Sequence, residues 1–173
     1  SDEDEAKIAQ VRTLIGRLGD SVSLIAPAQT LGELFVVLRR SGASAQDARA
    51  ILMEFNEAFG TSASEGRSML AAADLAVDHK LQFWDSLIVT AAADAGCRLL
   101  LSEDMQHGFV TRGLTIVNPL HGKPHPQLAA LLVRERQAGD GLADVALLRL
   151  VGLEELQPNR RIEEQPPDAD IGA

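Results

Sequence analysis

Apolar residues recur at helical spacing through Ile8, Val11, Leu14, Ile15 and Leu18, which predicts a first helix that opens on the acids Asp2 to Glu5 and stops at Gly19-Asp20. Val22 to Ala26 is a short apolar run ended by Pro27, a strand signature. A mostly apolar helix is predicted over 28–40, with Gly42 closing it. Ser44 followed by Asp47 has the form of a capping box and starts a helix that runs to about Phe59. Residues 61–66, rich in Ser, Thr and Gly, read as a loop. Further helices are predicted over 67–79 and 84–95, then strands over 99–102 and 114–117, the last ended by Asn118-Pro119.

Short continuous apolar strands alternating with longer helices define an α/β chain whose parallel sheet is covered on both faces. One such domain is expected over residues 1–120. His121-Gly122-Lys123-Pro124-His125-Pro126 forms a turn-rich junction. Beyond it, apolar stripes over 127–136 and 142–156, joined at Ala138-Gly139-Asp140-Gly141, predict a helical hairpin extension spanning 121–156. Residues 157–173 hold three prolines, many charges and little to bury, so a disordered tail is expected.

Composition narrows the function classes. Aromatics are 3% of the chain, too few for a row of base-stacking platforms. The formal net charge of −9 argues against a non-specific polyanion binder. It leaves room for an enzyme that meets phosphates through divalent cations, or for a protein that takes a basic partner segment. Cys97 stands alone, so no disulfide forms within the chain, and a reducing, cytoplasmic setting is expected, with Cys97 buried as a small apolar residue. No signal peptide is visible and no apolar run approaches the roughly 20 residues that cross a bilayer.

Three acids stand where packing does not ask for them. Glu33 interrupts Leu31-Gly32-Glu33-Leu34-Phe35, with Val36 and Val37 one turn on. Asp85 opens the helix of Phe83-Trp84-Asp85-Ser86-Leu87-Ile88, with Ile88, Val89 and Ala92 on its side. Asp104 follows the strand Leu99-Leu100-Leu101-Ser102, at the carboxyl end where open α/β sheets bind ligands. Each has a plain alternative: a surface Glu or one paired with Arg39 or Arg40, an acid on the helix dipole, and an Asp capping a turn. His121 and His125 have the spacing of some zinc ligands but lack a Cys pair or a Glu-rich helix. His107 lies close enough in sequence to Asp104 to touch a substrate phosphate, or to be a surface residue. Asp74, Asp78 and Asp94 read as ordinary polar-face residues. No Walker loop, dinucleotide fingerprint or nucleophile elbow is present.

Over residues 7–120 the chain resembles the PIN-domain family, in particular the VapC-like ribonuclease toxins. The segments that carry the resemblance are Leu31 to Leu38, Phe83 to Ile88, Leu101 to Gly108 and Ile116-Val117-Asn118-Pro119. The resemblance implies a Rossmann-like parallel sheet flanked by helices. It implies Mg²⁺ or Mn²⁺ held by Glu33, Asp85 and Asp104, and hydrolysis of RNA phosphodiester bonds by the toxin of a toxin–antitoxin pair. An antitoxin protein and a second copy of the chain are the partners it implies. The alternative is a catalytically degenerate PIN module kept for dimerisation or partner binding.

One departure stands out. Members of that family open with an apolar strand ending in Asp, central to the sheet, and this chain goes directly into its first helix. A central gap would leave strand edges unpaired, which is costly and favours N-terminal truncation as the explanation. The competing explanation is that another segment fills the gap.

Overall fold

The computed structural model describes residues 1–133 and 144–147. Its elements follow in the order α1 (Asp2–Ser21), β1 (Leu24–Pro27), α2 (Ala28–Arg40), α3 (Ala45–Ala58), β2 (Gly60–Ser62), α4 (Gly66–His79), α5 (Phe83–Asp94), β3 (Cys97–Leu101), β4 (Val110–Thr111), β5 (Leu114–Val117), α6 (Pro126–Val133) and β6 (Asp144–Leu147). The strands form one sheet in the order β2-β1-β6-β3-β5-β4. All neighbours are parallel except β4 and β5, which form an antiparallel pair. The chain is therefore mixed α/β with a largely parallel sheet.

Two apolar clusters are organised around the sheet. Along β3 and β5, Leu99, Leu101 and Val117 join Val11, Ile15 and Leu18 of α1, Leu34 and Leu38 of α2, Phe55 of α3 and Leu128 of α6. Leu100, Leu114 and Ile116 join Leu75 of α4 and Ile88, Val89 and Ala92 of α5. This alternation is the period of two that a strand imposes, and burial of both sets explains why β3 and β5 read as continuous apolar runs. Cys97 is buried and falls in the second cluster, off the alternation set by Leu99, because the ladder with β6 shifts register between Cys97 and Leu99.

Local chemistry sets most boundaries. The Ser44 hydroxyl accepts from the Asp47 backbone N–H at 3.0 Å and donates to the Asp47 carboxylate at 2.7 Å, so α3 begins where the cap pattern predicts. Two strands escape the periodicity. β2 starts at Gly60 and runs into the segment read as a loop; at three residues it is too short to show a pattern, and parallel pairing with β1 forms it. β4 is two residues long and turns into β5 at Arg112-Gly113, both with positive φ (52° and 76°). That is the backbone of a tight primed hairpin turn, for which Gly at the second central position is the one sequence signal.

The main correction concerns residues 121–156. α6 forms, but the second helix predicted over 142–156 does not hold at Asp144–Leu147, which is a strand. That strand is no appendage. β6 lies between β1 and β3 and pairs in parallel with both, Leu24 with Val145 and Leu101 with Leu147. Its apolar run, Val145-Ala146-Leu147-Leu148, fits a helix or a buried strand equally well by pattern alone. The unmet backbone edges of β1 and β3 decide between them. β6 thus supplies the strand that β1 and β3 share. The predicted tail at 157–173 lies outside the described residues.

Candidate active-site edge

Connectivity brings the three acids to one edge of the sheet. β1 ends at Pro27 and α2 begins at Ala28, so Glu33, in the second turn of α2, sits near the carboxyl end of β1. α5 enters β3 through Ala95-Gly96 and runs back against it, which brings its first turn, with Asp85, to the same edge. Asp104 lies three residues past the end of β3. Lys7 of α1 also belongs here. Its ammonium is raised in pKa chiefly by its hydrogen bond and ion pair with Glu3 (2.8 Å), with smaller parts from Asp4 and then Glu103.

The acids differ in surroundings. Asp85 is half-buried, its Oδ1 is closed off from solvent, and Ile88, Val89 and Ala92 on its side of α5 are fully buried. That face packs inward. Glu33 is half-buried too, yet Val36 and Val37 one turn on are 45% and 39% exposed. α2 therefore has a solvated flank beside Glu33, although its sequence is mostly apolar. Asp104 is exposed. Capping of its turn falls to Ser102, which is fully buried and whose Oγ accepts from the backbone N–H groups of Asp104 (3.2 Å) and Met105 (3.3 Å). The Asp104 carboxylate is thus not needed as the turn's cap. Among the described residues, no three His, Cys, Asp or Glu side chains are grouped closely enough to hold a metal ion by themselves.

A second group on this edge is more closely knit than its wide sequence spacing suggests. The His107 and His121 rings stack with centroids 4.0 Å apart and planes 4° apart, and the His125 ring meets His107 edge-on at 5.5 Å. The Asn118 N–H donates to His107 Nδ1 (3.1 Å), which ties the β3–β4 loop to the end of β5. The Gln127 N–H donates to His125 Nδ1 (3.2 Å) at the start of α6. Burial, then the like charges of His121 and His125, hold the His107 imidazole below its ordinary pKa. The H-x3-H spacing was visible in the sequence, but the contact of both rings with His107 was not, because it depends on the parallel ends of β3 and β5.

Asp94 is an ordinary structural acid, as its sequence context suggests. It pairs with Arg112 at 3.0 Å and accepts from the Ser68 hydroxyl at 3.3 Å, joining α5 to the β4–β5 turn and α4. No family model and no curated protein matches the chain. No helix among the described residues is long and apolar enough to cross a membrane.

Proposed function

We propose that this chain is a PIN-like, metal-dependent ribonuclease. What supports the reading is connectivity: α2 begins, α5 begins and β3 ends at the carboxyl edge of a parallel sheet, and Glu33, Asp85 and Asp104 lie in or just beyond those segments. Carboxylates suit hard divalent cations, so the donor set fits Mg²⁺ or Mn²⁺ in kind. A three-ligand protein cage is not required. Mg²⁺ commonly keeps several waters and uses one or two carboxylates together with substrate phosphates.

Asp85 is the first candidate ligand, because packing of its helix face holds it with one oxygen sealed from solvent. Asp104 and Glu33 are the candidates to receive or orient what docks beside it. A bound cation would supply an activated water and stabilise charge on the scissile phosphate. The role of a toxin neutralised by an antitoxin, and a homodimeric state, belong to this proposal through the family resemblance.

One observation favours the degenerate-module reading. β6 occupies the central position where the family carries its first acid, and the sequence after Leu147 continues Leu148-Arg149-Leu150. Asp144 lies at the opposite, amino end of that strand. Incubation of the protein with single-stranded RNA, with Mn²⁺ or with EDTA, separates the readings. Cleavage that needs Mn²⁺ and is lost in Asp85→Asn supports the nuclease; intact RNA under both conditions, with no Mn²⁺-dependent thermal shift, rejects it.

A further inference from the structure

We propose that His107, His121 and His125, with Lys123 between the last two, form a subsite for the phosphodiester oxyanions of single-stranded RNA. The inference rests on RNA being the substrate and adds a binding determinant outside the three acids.

Hydrogen bonding assigns the ring protons. Nδ1 of His107 and of His125 each accept from a backbone N–H, so in the neutral rings the proton sits on Nε2. These two rings therefore offer Nε2–H donors and no free lone pair for a metal. His121 Nδ1 faces both the N–H (3.3 Å) and the carbonyl (3.2 Å) of Lys123, so its tautomer is free to follow the ligand.

Charge points to an anion. The sequence has no Asp or Glu from Met105 to Val133, in a chain whose acids outnumber its bases 25 to 16. That stretch holds three of the four histidines, together with Arg112 and Lys123. Arg112 is engaged by Asp94, and Lys123 is exposed. The charged groups that act on His107 are the other two imidazoles. Glu103 and Asp104 lie on the same loop, before His107, and His79 at the end of α4 packs edge-on against Phe109. A proton on His121, or on His107 or His125 at the loss of its backbone N–H bond, repels the neighbouring rings, and an oxyanion relieves that repulsion. Proton uptake and phosphate binding are thus linked, and affinity rises as pH falls through the imidazole range. The subsite sits on the edge that carries the candidate acids, which suits a strand laid across the carboxyl ends of β3 and β5.

The test uses the full chain in EDTA with a fluorescent single-stranded RNA, read by anisotropy over a salt series at about pH 5.5 and about pH 7.5, on either side of the imidazole range. Tighter binding at the lower pH is expected, with a salt slope steeper by about 1–2. His107→Gln, His121→Gln and His125→Gln combined, checked for folding by thermal melt, should bind at the lower pH as the wild type does at the higher. Independently, the ring-proton NMR titration of His107 in the wild type should move to higher pH when the RNA is added. A pH dependence that survives in the triple variant, or a wild-type His107 titration unmoved by RNA, overturns the proposal. So does a shift produced by inorganic phosphate but not by RNA, which marks a free-phosphate site. EDTA separates the two readings: RNA binding without Mn²⁺-dependent cleavage rejects the nuclease alone, and cleavage without this pH-linked binding rejects the subsite alone.

Discussion

Ala146 stands in register with Leu100, on strands that run in the same direction, although 45 residues separate them in the chain. The same residue is paired with Ile25 across β6. A segment late in the sequence therefore joins β1 to β3, and the two halves of the sheet depend on it. Ala146→Pro removes a ladder donor from an interior strand, at a cost of roughly 1–3 kcal/mol for the group left unmet. A lower urea midpoint is expected; an unchanged one would remove β6 from the sheet. Deletion of 134–173 should act in the same direction and more strongly, since it exposes an edge on both β1 and β3.

Local pattern made most of the helices legible in the sequence. α3 begins at the Ser44 cap, and α2 runs from Ala28 to Arg40 as its apolar content and the flanking Pro27 and Gly42 predict. Strands defined by their partners were not legible. β2 and β4 are too short to show alternation, and Asp144–Leu147 carries an apolar run compatible with a helix until the open edges of β1 and β3 are considered. The candidate site follows the same division. Asp85 and Asp104 could be located from the ends of their elements, whereas the joining of His107 to His121 and His125 depends on where two parallel strands finish.

His107 should make acid stability measurable at one residue. Its pKa is lower in the fold than in the unfolded chain, first through burial and then through His121 and His125. The unfolded state therefore binds the extra proton more readily. Stability is full above the unfolded imidazole value of about 6.5 and falls as pH drops from there through the folded value. His107→Gln keeps an acceptor for the Asn118 N–H and removes the titration. Urea melts between about pH 7.5 and pH 5 should show a shallower acid decline in His107→Gln than in wild type. Identical declines would show that His107 does not contribute.

Lys80 closes α4 in the left-handed region, at φ 54° and ψ 37°, where its N–H and that of Leu81 both reach the Ala76 carbonyl. An L side chain pays a steric penalty there that glycine avoids. Lys80→Gly should stabilise the fold by about 0.5–1 kcal/mol, as glycine is the preferred residue after a helix end. A higher melting temperature for Lys80→Gly is the expected result, and a lower one would mean that the Lys80 side chain contributes more than its backbone strain costs.

Asp85 offers the sharpest separation between a structural and a catalytic acid. It stands in the first turn of α5, where a negative charge interacts favourably with the helix dipole, worth about 0.3–1 kcal/mol. Asn at this position preserves shape and removes charge. If the dipole is its whole role, Asp85→Asn lowers stability by that amount with and without metal, and any Mn²⁺ response is unchanged. If Asp85 binds a cation, the wild type gains stability with Mn²⁺ by mass action and Asp85→Asn loses that gain together with RNA cleavage. The lost dipole interaction is small, so the metal-free variant should melt close to the metal-free wild type. Thermal melts of both proteins, each with and without Mn²⁺, give four values. The expected pattern is one raised value, the wild type with Mn²⁺, above three that nearly coincide. Equal Mn²⁺ shifts in the two proteins would remove Asp85 from the metal site.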